Sequence, residues 1–104
     1  MTDLLDRISA LLGDSTCDLD QIEWTLTDGY AHALSLEAER WRLERRVLGL
    51  SQGIENGDTA EKVRELSSLT KRLDVNQDDL AILRRRLAEL RRRADDVRVA
   101  SPSR

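Results

Sequence analysis

In LSSLTKRLDVNQDDLAILRRRLAELRRRADDV, residues 66–97, an apolar side chain returns every three or four residues: Leu66, Leu69, Leu73, Leu80, Leu83, Leu87, Leu90, Ala94 and Val97, with Asn76 the one polar member. That alternation keeps a single stripe of an α-helix turned toward a neighbouring helix, the heptad pattern of coiled coils. The same spacing appears upstream in Leu19, Ile22, Leu26, Gly29, Ala33, Leu36, Arg40, Leu43, Val47 and Leu50, where only Gly29 and Arg40 are not apolar side chains. No run alternates with the period of two that a half-buried strand requires. The expected fold class is all-α.

Between and before these stripes the chain carries helix punctuation. Glycine supplies a left-handed stop, and Ser, Thr or Asp accepts the free amides of a first turn. Thr2 or Asp3 is placed to cap a short helix over 2–13, ending at Gly13, with Leu4, Leu5, Ile8, Leu11 and Leu12 on one face. Ser15 to Asp18 opens a second helix over 16–50, and Asp28-Gly29 is where that helix could break instead. Gly53 and Asn56-Gly57 mark a reversal over 51–57. Asp58, followed by Glu61, has the spacing of a capping box and begins a third helix over 58–98. Residues 1–99 read as a single helical domain and 100–104 as a frayed tail.

A reversal at 51–57 lays the long helices antiparallel, with facing residues whose numbers total about 109. Ile22 then meets Leu87, Leu26 meets Leu83, Leu36 meets Leu73 and Leu43 meets Leu66, while Gly29 falls opposite Leu80 and Ala33 opposite Asn76. Flanking charges pair with opposite sign: Asp18 with Arg93, Glu23 with Arg84, Glu39 with Arg72 and Arg46 with Glu65. Exposed pairs contribute about 0–1 kcal/mol each, so they select direction while the leucines supply stability. The expected architecture is an antiparallel coiled-coil hairpin with a short N-terminal helix.

The second helix has more apolar surface than such a hairpin uses. Trp24, Ala31, Leu34, Ala38, Trp41 and Leu48 form another three-four series on its opposite face, and a helix apolar on two sides is normally sandwiched. The first helix is too short to cover it: ten or so residues reach about 15 Å, against about 36 Å from Trp24 to Leu48. A homodimer with a four-helix-bundle core is the economical cover; a different protein anchored on the tryptophans is the other.

The 104 residues carry a net charge of −3, one cysteine (Cys17) and one histidine (His32), too few for an internal disulfide or a structural zinc set. Catalytic, cofactor-binding and metal-binding residues are therefore expected to be none, and no glycine-rich phosphate cradle appears. No apolar run approaches the roughly 20 residues of a membrane span. MTDLLDRISALL lacks the basic start and unbroken apolar core of a secretory signal, so a cytoplasmic location is expected.

Charge is segregated: residues 1–39 hold nine acids and one arginine, whereas 84–93 hold six arginines and one acid. Within the basic block Arg85 and Arg92 point most directly outward, available to a phosphate or an acidic partner. Nucleic acid is not the favoured partner, because the chain is acidic overall and no aromatic residue is interleaved to stack on bases. With Glu55 and Asp58 at its tip, the hairpin resembles in outline the coiled-coil fingers of transcript-cleavage factors of bacterial RNA polymerase, without their globular domain. In length and form it also resembles the small WXG-type helical proteins, but neither tryptophan is followed two residues later by glycine. The functional expectation is a non-enzymatic scaffold or adaptor of bacterial type; the alternative is a regulatory protein associated with nucleic acid or RNA polymerase through the arginine-rich end.

Overall fold

The computed structural model describes residues 1–14, 18–54 and 60–100, excluding the side chains of residues 54 and 100. They form three helices, α1 (Thr2–Gly13), α2 (Leu19–Ile54) and α3 (Ala60–Ala100), with no strand among the described residues. The chain is all-α. The expected roles of Ser15, Thr16, Cys17, Glu55 and Asp58 lie outside the described residues; of the expected tail 100–104, Ala100 belongs to α3 and 101–104 lie outside the described residues.

Helix ends follow local hydrogen bonding, which moves some of the expected boundaries. α1 begins at Thr2 with Met1 as its N-cap and no side-chain cap bond, so neither Thr2 nor Asp3 caps it; Asp3 instead lies in the first turn, where a carboxylate favours the helix dipole. It ends at Gly13, beyond which Asp14 is extended. Asp18 caps α2, its Oδ1 accepting the Asp20 amide at 3.2 Å. α2 runs unbroken through Asp28-Gly29 and continues past Leu50 to Ile54, so the first part of the expected reversal is helical. Lys62 explains part of that extension: its Nζ donates to the Gly53 carbonyl at 3.2 Å, one of the acceptors left over in the last turn.

The chain divides into two compact units, Met1–Leu34 with Ala81–Arg104, and Ser35–Leu80. In the first, Ile8, Ile22, Leu83 and Leu90 are sealed from solvent, joined by Leu4, Leu26, Leu87 and Ala94. Thr25 is buried with them, although it belongs to neither heptad stripe. α1 supplies Leu4 and Ile8 to this core, and its Arg7 pairs with Asp28 of α2 at 2.9 Å. α2 and α3 run antiparallel here, since Glu23 meets Arg98 at 3.7 Å and Tyr30 meets Arg91 at 3.5 Å.

Register in this unit departs from expectation. Leu87 packs on Gly29, where a Cβ would collide with Leu87 Cδ2 and lie 3.3 Å from its Cγ. Gly29 was expected to face Leu80, seven residues earlier, and Leu87 to face Ile22, seven residues before Gly29. A slip of one heptad returns every a and d residue to the same face, so the stripe alone does not forbid it. The charged partners move as well: Glu23 takes Arg98 rather than Arg84, and Arg93 donates to the Asp14 carbonyl at 2.8 Å rather than to Asp18.

In the second unit the two expected charge pairs form, while Asn76, expected opposite Ala33, bonds to Leu36. Arg46 donates Nε to Glu65 Oε1 at 3.1 Å, and Arg72 lies 3.9 Å from Glu39, again in antiparallel order. Leu43 and Leu69 are buried. Arg40 is half-buried and turns its guanidinium toward Glu44, 3.7 Å away. Asn76 is 4% exposed; its Nδ2 donates to the Leu36 carbonyl at 3.0 Å, while its Oδ1 is buried without a partner among the described residues.

Two stability measurements test these contacts. Gly29→Val should lower stability in urea by about 1–3 kcal/mol, because overpacking against Leu87 outweighs the gain in helix propensity; an unchanged midpoint would mean that Leu87 yields freely. Asn76→Leu should raise stability by about 1–3 kcal/mol, the cost of a buried unsatisfied polar atom. A lower midpoint for that variant would show that the bond to Leu36 outweighs the orphaned oxygen.

Candidate association surface

Two classes of side chain remain on the surface after the helices have packed: large apolar groups on α2 and arginines on α3. The heptad stripe turns one face of α2 inward, so residues on the opposite face cannot reach the same core. Trp24 is 72% exposed and Leu34 67% in the first unit, Trp41 67% and Leu48 61% in the second, and Ala31 and Ala38 are exposed as well. Isolated exposed leucines are ordinary, but two tryptophans and two leucines at helical spacing on one element are not. All six residues expected on the outer face of α2 are therefore uncovered in the single chain.

α1 reaches the edge of this face without closing it. Ala10 and Leu11 of α1, with Gln21, Trp24 and Thr25 of α2, line an open groove of about 350 Å³, with Arg7 at its rim. The indole of Trp24 borders the groove yet stays largely in solvent. α3 also exposes Val63, Val75, Ile82 and Val99, which the sequence reading did not single out because they form no unbroken three-four series.

Most arginines of the basic block have partners. Arg86 pairs with Glu89 at 3.3 Å and Arg93 donates to the Asp14 carbonyl; just beyond the block, Arg98 pairs with Asp95 at 3.1 Å in addition to Glu23. Arg91 donates to the Tyr30 hydroxyl at 3.5 Å, and that hydrogen bond, with the nearby Asp95 carboxylate, holds its guanidinium pKa above the ordinary value. Arg84 also takes part in an interaction. Arg85 and Arg92, one heptad apart on α3, are exposed and make no ion pair or hydrogen bond among the described residues.

Other clefts gather polar groups without a converging set. Glu39, Lys71, Arg72, Asn76 and Asp79 border an open cavity of about 270 Å³ in the second unit, where Arg72 is already turned to Glu39. His32 is half-buried. Among the described residues no group of three or more His, Cys, Asp or Glu side chains is placed to hold a metal ion, and no helix is long and apolar enough to cross a membrane. Compared with known proteins, the chain matches no family model, no curated protein and no solved structure.

Proposed function

We propose that this chain is a non-enzymatic assembly module: an antiparallel coiled-coil hairpin with a short N-terminal helix, joined to a second copy through the outer face of α2. The observation that carries this reading is the exposure of Trp24, Leu34, Trp41 and Leu48 on the face of α2 opposite its core stripe. Burial of apolar surface drives association at roughly 25 cal/mol per Å², and tryptophans are among the side chains that anchor interfaces most strongly. A four-helix core built from two hairpins covers them with more of the same chemistry.

The exposed pair Arg85 and Arg92 supports a secondary role, contact with an acidic partner or a phosphate backbone. The net charge of −3 and the internal pairing of the neighbouring arginines favour the assembly reading over nucleic-acid recognition. If nucleic acid were the partner, binding would weaken steeply with salt and would be lost in an Arg85→Glu, Arg92→Glu double variant.

Light scattering or sedimentation at micromolar concentration should report roughly 24 kDa, twice the chain mass of 11.9 kDa. Trp41→Glu should shift that mass toward the monomer, and Arg85→Glu should leave it unchanged. Circular dichroism checks that each variant remains helical. A wild-type mass of 11.9 kDa at all accessible concentrations would refute self-association.

A further inference from the structure

The outer face of α2 has an internal symmetry that selects how two copies would meet. About position 36, Trp24 and Leu48 lie twelve residues to either side, Ala31 and Trp41 five, and Leu34 and Ala38 two. Thr27 and Arg45 complete the three-four series at nine residues to either side, and both are exposed. In an antiparallel helix pair each a residue faces a d residue of its neighbour, as residues equidistant from the axis do here.

We infer that two copies of this chain pair α2 against α2 in antiparallel sense, with the twofold axis beside position 36; this rests on the self-association proposed above. Every layer then sets a large side chain against a smaller one. Trp24 meets Leu48 of the second copy, Trp41 meets Ala31, Leu34 meets Ala38, and each contact recurs by symmetry. Alternating sizes across facing positions is how helical layers interdigitate without voids. A parallel, in-register pair would stack Trp24 on Trp24, Trp41 on Trp41 and Arg45 on Arg45, leaving alanine on alanine between them.

Charge and area agree with this arrangement. On one flank, Asp28 falls beside Arg42 of the second copy. Asp28 Oδ2 already accepts Arg7, leaving Oδ1 for the newcomer, and Arg42 is exposed. Ser35 meets its own counterpart near the axis, where a small neutral side chain is the least costly occupant. On the other flank Glu37 approaches its counterpart, but it is half-buried and engaged elsewhere. The exposed parts of the two indoles supply roughly 300 Å² per copy, more than a third of the ~800 Å² that each partner contributes to a stable interface.

Single-cysteine cross-linking tests the sense and register, using the full chain with Cys17→Ser. Ser35→Cys should be joined efficiently to its counterpart by a short bismaleimide. Gly49→Cys should not, because residues 13 positions from the axis lie about 39 Å apart in an antiparallel pair. Gly49 is exposed, and an added Cβ there meets nothing within 4 Å, so the substitution is accommodated. Ala31→Trp should raise the dimer dissociation constant at least tenfold, and adding Trp41→Ala should restore it within about threefold, since the pair exchanges sizes across one layer. A dimer that cross-links through Gly49→Cys, or fails to cross-link through Ser35→Cys, overturns this arrangement while leaving self-association intact. A chain that stays monomeric overturns both.

Discussion

Burial of the leucine stripe on α3 is the interaction around which the molecule is arranged. Leu83 and Leu90 are closed to solvent together with Ile22 of α2 and Ile8 of α1, while Leu69 and Leu43 play the same part in the other unit. Burial of this kind is strong but non-directional. It ensures that helices pack and says little about which residue meets which. Directional information comes from a few positions where geometry is tight: Gly29, which admits Leu87 against the α2 backbone, and Asn76, whose amide finds the Leu36 carbonyl.

Charge acts as a second, weaker level of organisation. The acidic first third and the arginine-rich last quarter of the chain meet within one unit, where Arg93 reaches the Asp14 carbonyl, Arg98 reaches Glu23 and Arg91 reaches Tyr30. These partners are substantially solvent-exposed, so each pair adds little to stability. Together they favour antiparallel order and turn an otherwise basic surface into a mixed one. Arg85 and Arg92 stay outside this network because they lie on the flank of α3 remote from its core stripe.

The outer face of α2 follows from the same periodicity. A helix has room for one stripe toward its own chain, and a second stripe on the opposite side cannot be satisfied by it. α1 buries Leu4 and Ile8 and borders Trp24, but it spans only twelve residues and leaves the indole in solvent. The proposed antiparallel partner helix matches this face because the order of large and small residues reads nearly the same in size outward from its centre.

The all-α class, the three helices and the exposed tryptophan face were legible from spacing alone, because the period of apolar residues is a local property that survives whatever the chain packs against. The pairs Glu39 with Arg72 and Arg46 with Glu65 were legible too, since they lie near the reversal, where a short connection leaves little freedom. Farther away, Glu23 with Arg98 and Leu87 on Gly29 were not: a heptad repeat looks identical after a shift of seven residues, and arginine is long enough to reach several acids. Nor did local propensity anticipate that α2 would continue past Leu50 through Gly53, because Lys62, nine residues farther along on α3, supplies a donor to its last turn. The amino-acid sequence by itself determined which residues form helices and which face each turns inward; tertiary packing decided register and the polar partners, since those depend on side chains meeting across space.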